Sequence, residues 1–196
     1  MAGKITDLAE LTVGNAVAGD LMEIVDVSDT SMAATGTNKK ILWSSIKSQM
    51  LPKYVRLSAD RTSTSTALAD VTGLSASIEA NKAYILRACI RYKSSTATEA
   101  LGLAINGPAS PTSVESGTII TGYTGIYRSE QTSGYDTAVI GVSSTATSML
   151  ATIDALIVNG ANAGTLAVRY KAETGGANSV TVEAGSWFTL QEVVVP

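Results

Sequence analysis

The chain contains no histidine. That excludes Ser-His-Asp and Cys-His nucleophilic catalysis, histidine-ligated zinc and histidine-based pH switching. It has a single cysteine, Cys89, so no intrachain disulfide framework is available. Cys89 lies in an apolar, strand-like run, where a buried, inert thiol is expected. Large aromatics are scarce, with 1 Phe and 2 Trp in 196 residues. Charge is sparse as well: 14 basic against 17 acidic residues give a net charge of −3 and a pI near 5.0. A phosphate-tracking surface shows clustered cations and a basic pI, so no nucleic-acid partner is expected. No run approaches the roughly 20 apolar residues of a membrane helix. No long apolar stretch follows the opening Met-Ala-Gly-Lys-Ile-Thr-Asp, and no signal peptide is expected there.

What is present is small and β-branched. Hydrophobic residues make up 45% of the chain, and Ala is the commonest at 27; 22 Ser, 24 Thr and 17 Gly accompany them. Such a composition favours strands and tight turns over helices.

A boundary falls near Leu51-Pro52 and divides the chain into residues 1–52 and 53–196. In the first part Leu21 to Val27 and Lys40 to Trp43 read as strands, separated by a polar loop over Thr30 to Asn38. Ser44 to Met50 reads as a short helix that Ser44 or Ser45 would cap and Pro52 would stop. A strand–loop–strand–helix module of about 50 residues is marginal alone and needs a neighbour. After Pro52 the pattern is all strand. In Ala83 to Lys93, Tyr84, Leu86, Ala88, Ile90 and Tyr92 share one face. Ile85, Arg87, Cys89, Arg91 and Lys93 share the other, which should meet water or a partner. Further strands are expected at Tyr54–Leu57, Leu101–Ile105, Thr118–Thr121, Thr137–Val142, Ser148–Val158, Thr165–Ala172, Ser179–Glu183 and Ser186–Val195. Arg61 to Thr66 reads as an exposed strand or loop, and Gly117 to Gly134 as the most loop-like stretch. Eight to ten short strands with regular turns predict a mainly β chain whose larger part is an antiparallel β-sandwich, jelly-roll-like.

Candidate chemistry is thin. Glu79, Glu99, Asp136, Asp154, Glu173 and Glu183 could be considered for glycoside hydrolysis, which needs two carboxyls roughly 5–10 Å apart. No motif pairs them, and solvated loop and strand-edge charges are expected. Asp20, Asp26 and Asp29 lack the EF-hand pattern, so no metal is expected. Gly122-Tyr-Thr-Gly125 fits no phosphate-binding loop. Tyr123, Tyr127 and Tyr135 fall close together in sequence and are candidate receptor contacts, since exposed aromatics stack on sugars and anchor protein interfaces. Of the adjacent Trp187 and Phe188, one should point inward and one outward.

Two sets of phrases resemble proteins of tailed-bacteriophage particles. Lys4-Ile-Thr-Asp-Leu, Asp20-Leu-Met-Glu-Ile-Val-Asp-Val-Ser-Asp29 and Met32-Ala-Ala-Thr-Gly-Thr-Asn-Lys-Lys-Ile41 resemble a leader of tail-fibre and virion proteins. Ala69-Asp-Val-Thr-Gly-Leu, Gly102-Leu-Ala-Ile-Asn-Gly-Pro-Ala109, Gly164-Thr-Leu-Ala-Val-Arg-Tyr170 and Val182-Glu-Ala-Gly-Ser-Trp187 are similar to C-terminal β-sandwich domains of phage fibre and decoration proteins. The resemblance implies a structural virion protein, not an enzyme and without a cofactor: a homotrimeric fibre, spike or capsid decoration protein, assembled in the bacterial cytoplasm. Its N-terminal module would dock on other capsid or tail proteins through Leu21, Ile24, Val25, Val27, Ile41, Leu42 and Trp43, and its knob would project outward. The alternatives are binding of a host-surface glycan and, from another class, a polysaccharide depolymerase.

Overall fold

The computed structural model describes residues 21–26, 37–42, 51–122, 127–143 and 147–193; at 21–26, 37–42, 127–128 and 142–143 it describes the backbone alone. The chain divides into two compact units, Met1–Leu51 and Pro52–Pro196. In the first unit, β1 (Leu21–Asp26) and β2 (Thr37–Leu42) form an antiparallel hairpin, with Leu21 opposite Leu42 and Met22 opposite Ile41. Strand β2 begins three residues before the expected Lys40. The helix expected over Ser44–Met50 lies outside the described residues, as do Val27 and Trp43.

In the second unit the described residues form twelve strands and no helix: β3 (Lys53–Arg56), β4 (Arg61–Ser63), β5 (Ala69–Ile78), β6 (Ala83–Ser94), β7 (Ala100–Asn106), β8 (Ser113–Thr121), β9 (Tyr127–Ser133), β10 (Val139–Ser143), β11 (Met149–Val158), β12 (Gly164–Ala172), β13 (Val180–Val182) and β14 (Trp187–Val193). All pairings are antiparallel, as expected. The smaller sheet has the order β10-β7-β12-β5. The larger runs β3-β14-β6-β11-β8-β9, with β13 also beside β6 and β4 beside β13.

One hydrophobic cluster draws on both sheets. Val71, Leu74 and Ile78 of β5, Leu103 and Ile105 of β7, and Leu166 and Val168 of β12 come from the smaller sheet. Leu86 and Ile90 of β6, Ile153 and Ile157 of β11, and Phe188 and Leu190 of β14 come from the larger. Strand β6 sets the phase of the larger sheet. Tyr84, Leu86, Ala88, Ile90 and Tyr92 are all buried, as the alternation predicts. Ten consecutive pairs with β11 carry that phase to Ala151, Ile153, Ala155 and Ile157. Phe188 is buried and Trp187 is not, so the adjacent aromatics do split between core and surface. With one Phe, the core is filled by aliphatic side chains drawn from many strands.

Two expectations fail. Strand β5 was not expected, because its apolar residues change phase midway: Val71, then Leu74, then Ala76 and Ile78. Gly73 adopts φ 102° there, and the β5–β12 register shifts across the same stretch. Asp70 to Ser75 holds three more residues than the β12 stretch it faces, and the positive φ within it suits a glycine. Strand β9 lies in the stretch expected to be most loop-like, and Tyr127–Ser133 carries no alternating apolar set. It is an edge strand paired to β8 alone, so the ladder defines it and burial does not.

The in–out phase of β6 makes a direct prediction. Leu86→Ala should lower unfolding free energy by about 3 kcal/mol. Arg87→Ala, one residue along, should change it by less than about 0.5 kcal/mol. Urea unfolding of the two variants measures both, and equal losses would contradict the phase.

Candidate functional site

The residues expected to dock on a particle fall on the first hairpin. Leu21, Ile24 and Val25 lie on β1, and Ile41 and Leu42 on β2, so one two-stranded ladder holds all five.

The three candidate receptor tyrosines are arranged less compactly than the sequence suggests. Tyr123 lies outside the described residues. Tyr127 opens β9 opposite Thr121, and Tyr135 lies beyond the other end of that strand. At about 3.3 Å per residue, β9 sets the two positions roughly 20 Å or more apart. Tyr135 is half-buried and packs against the core cluster. Its ring covers Gly107 so closely that a Cβ there would come within 2.4 Å of the hydroxyl. Burial pushes its pKa up to about 12, and the hydroxyl has no hydrogen-bond partner. A salt-bridged corner holds this turn. The Asp136 amide donates to Ile105 O (2.9 Å), Arg169 reaches Asp136 Oδ1 (2.6 Å), and Asn106 Nδ2 donates to Asp136 Oδ2 (2.5 Å).

Two of the six carboxylates depart from the expectation of solvated charges. Glu99 is fully buried just before β7. Its Oε1 accepts from the Glu173 and Thr174 amides (2.6 and 3.0 Å), and its Oε2 accepts from the Gly175 amide (3.1 Å) and the Thr174 hydroxyl. Burial opposes ionisation, but the Thr174 hydroxyl and these amides outweigh it and hold the carboxyl below its usual range. Glu183 is also buried, and ion pairs join it to Arg91 (3.5 Å) and Lys93 (3.3 Å). Both acids anchor loops against strands. Asp154 lies on the open outer face of β11, paired with Arg87 at 3.3 Å. Among the described residues no group of three or more acids or cysteines could hold a metal ion.

Cys89 is not the buried thiol expected. It lies half-exposed on the outward face of β6, between Trp187 of β14 and Thr152 of β11. It follows the strand's alternation, which places it with Arg87 and Arg91, and not the apolar character of its neighbours.

Large apolar groups stand on that same outward face: Ile85, where the alternation of β6 predicts it, and Ile119, Leu150 and Leu156, for which the sequence reading makes no such prediction. The available signal is that β11 carries apolar residues in both strand phases, which a sheet with one face in water does not need. Two small clefts lie among the described residues. One, of about 290 Å³, is lined by Lys93, Ser94, Ser95, Ser179 and Thr181. The other, of about 180 Å³, is lined by Glu115, Ser116, Gly117 and Gln131.

No protein-family model and no curated protein matches the chain. Among solved structures it is similar to capsid protein VP2 of infectious bursal disease virus in a subviral particle, at 16% identity over 89% of this chain and 47% of that one, TM-score 0.21. The Gx strain of the same virus gives 16% identity, 90% and 46% coverage and a TM-score of 0.23. The chain spans about half the length of these proteins, and superposition this slight carries no argument about fold or function.

The Glu99 cradle makes a prediction with a definite sign. Its folded pKa is lowered, so its stabilisation is complete above the unfolded value of about 4.3 and is lost as pH falls further. Glu99→Ala should cost about 3 kcal/mol at pH 7. Glu99→Gln should flatten the fall in stability below pH ~4. Thermal melts between pH 3 and 7 read both effects; an unchanged acid limb in the Gln variant would remove Glu99 from the account.

Proposed function

We propose that this chain is a structural protein of a virus particle, of the tailed-phage fibre or decoration type. The unit that begins near Pro52 projects as a trimeric knob, and the first 50 or so residues attach it to the particle. The observation that carries the reading is the strand order. Strands β5, β12, β7 and β10 form one sheet, while β6, β11, β8 and β9 form the consecutive core of the other. Among these eight, consecutive strands switch sheets except at the β8–β9 hairpin. This is the double Greek key of a jelly roll, an architecture that recurs in viral capsid and lectin domains. Fold alone does not assign function, and two further observations support this one. The buried carboxylates hold loops in place and do not converge on a cleft. The hairpin β1–β2 offers apolar positions on both faces for docking on other particle proteins, Leu21, Val25 and Leu42 on one and Ile24 and Ile41 on the other.

The test is on particles. Antibody against residues 53–196 should label intact virions in immuno-electron microscopy, and a chain lacking residues 1–51 should fold yet be missing from purified particles. Unlabelled virions would overturn the virion reading; incorporation of the shortened chain would overturn the docking role.

A further inference from the structure

The two sheets present unlike outer faces. On the smaller sheet, Asp70, Thr72, Ser75 and Ser77 of β5 point to water. Beside them the Lys171 side chain lies over Gly102, and Arg169 bridges Asp70 and Asp136. Lys53 and Arg61 donate to Ser77 O and Thr72 O (2.7 and 2.8 Å), so cations meet these β5 carbonyls where another strand could otherwise add. That face is polar and finished.

The larger sheet is different. Ile85, Ile119, Leu150 and Leu156 are each between 38% and 49% exposed. The registers align them: Ile85 lies opposite Leu156, and Cys89, Thr152 and Ile119 form one row. Trp187 continues that row onto β14, where Tyr54 of β3 packs on it at 5.8 Å between ring centroids. Apolar residues thus stand on five strands, from β3 to β8, around the Arg87–Asp154 ion pair. At about 4.8 Å per strand and three rows of residues, the face they share covers roughly 500 Å². That is most of the roughly 800 Å² per partner of a stable interface.

Charge on this face is divided. Arg87 and Asp154 pair with each other at its centre, Arg56 stands at the β3 edge and Glu115 at the β8 edge. A second copy brought in by rotation would lay its Glu115 edge on the Arg56 edge of the first, with the apolar residues in contact.

We infer that the outer face of the larger sheet is the surface through which copies of this chain associate. The inference names the contact within the trimeric knob proposed above and rests on that reading for the number of copies. It is tested in solution with the full chain. By light scattering, the native chain should have a mass that is a multiple of 20.2 kDa, and the double variant Ile85→Glu, Leu156→Glu should be monomeric with an unchanged circular-dichroism spectrum. Ser75→Glu, on the finished face, should keep the native mass. Alkylation of Cys89 supplies a second reading: slow in the native assembly, fast in the double variant. A monomeric native chain, or a double variant of unchanged mass, would overturn the inference. Virions that carry the chain while it stays monomeric would sink this inference alone. Association through this face without virion labelling would sink only the particle reading.

Discussion

Everything in the second unit depends on the pleat of β6. It is the longest strand among the described residues, it pairs with β11 over ten residues and with β14 over seven, and its alternation is unbroken from Tyr84 to Ser94. A shift of one residue would move Leu86, Ile90 and Tyr92 to water and bring Arg87 and Arg91 into the core, which no partner there could offset. The register of this strand therefore decides what lies inside. For the same reason it decides what stands outside: Ile85, Cys89 and the two arginines.

Small and aliphatic side chains follow from that architecture. Two sheets about 10 Å apart leave room for one interdigitated layer from each. Burial is shared among many strands, with Phe188 and Tyr92 the largest side chains fully enclosed. Two buried polar groups tie the strands to their loops. Tyr92 donates to Thr121 O at 2.5 Å, and Glu99 fastens the turn after β12 to the start of β7.

Much of this was legible in the sequence, and the failures have physical reasons. The long alternating run at β6 and the turn after Ile105 mark strands because period and punctuation agree. Strand β5 escapes because Gly73 breaks its period, and β9 escapes because an edge strand is made by hydrogen bonds that leave no apolar pattern. For the candidate site, residue identity was legible and position was not. Tyr127 and Tyr135 are near in sequence but stand at opposite ends of β9. Glu99 looks like any loop acid until three amides and a hydroxyl converge on it. The outward Leu150 and Leu156 stand in the phase of β11 opposite to its buried residues, and a strand read only for its core face passes over them.

The central claim is that the two faces of the larger sheet are both used, one for the core and one for copies of the chain. Hydroxyl-radical footprinting of the full chain across a dilution series tests it residue by residue. Ile85, Leu150, Leu156 and Trp187 should be protected at high concentration and become reactive together on dilution, while the residues of β5 that face water stay reactive throughout. Reactivity on the β6–β11 face that does not change with concentration would contradict the account.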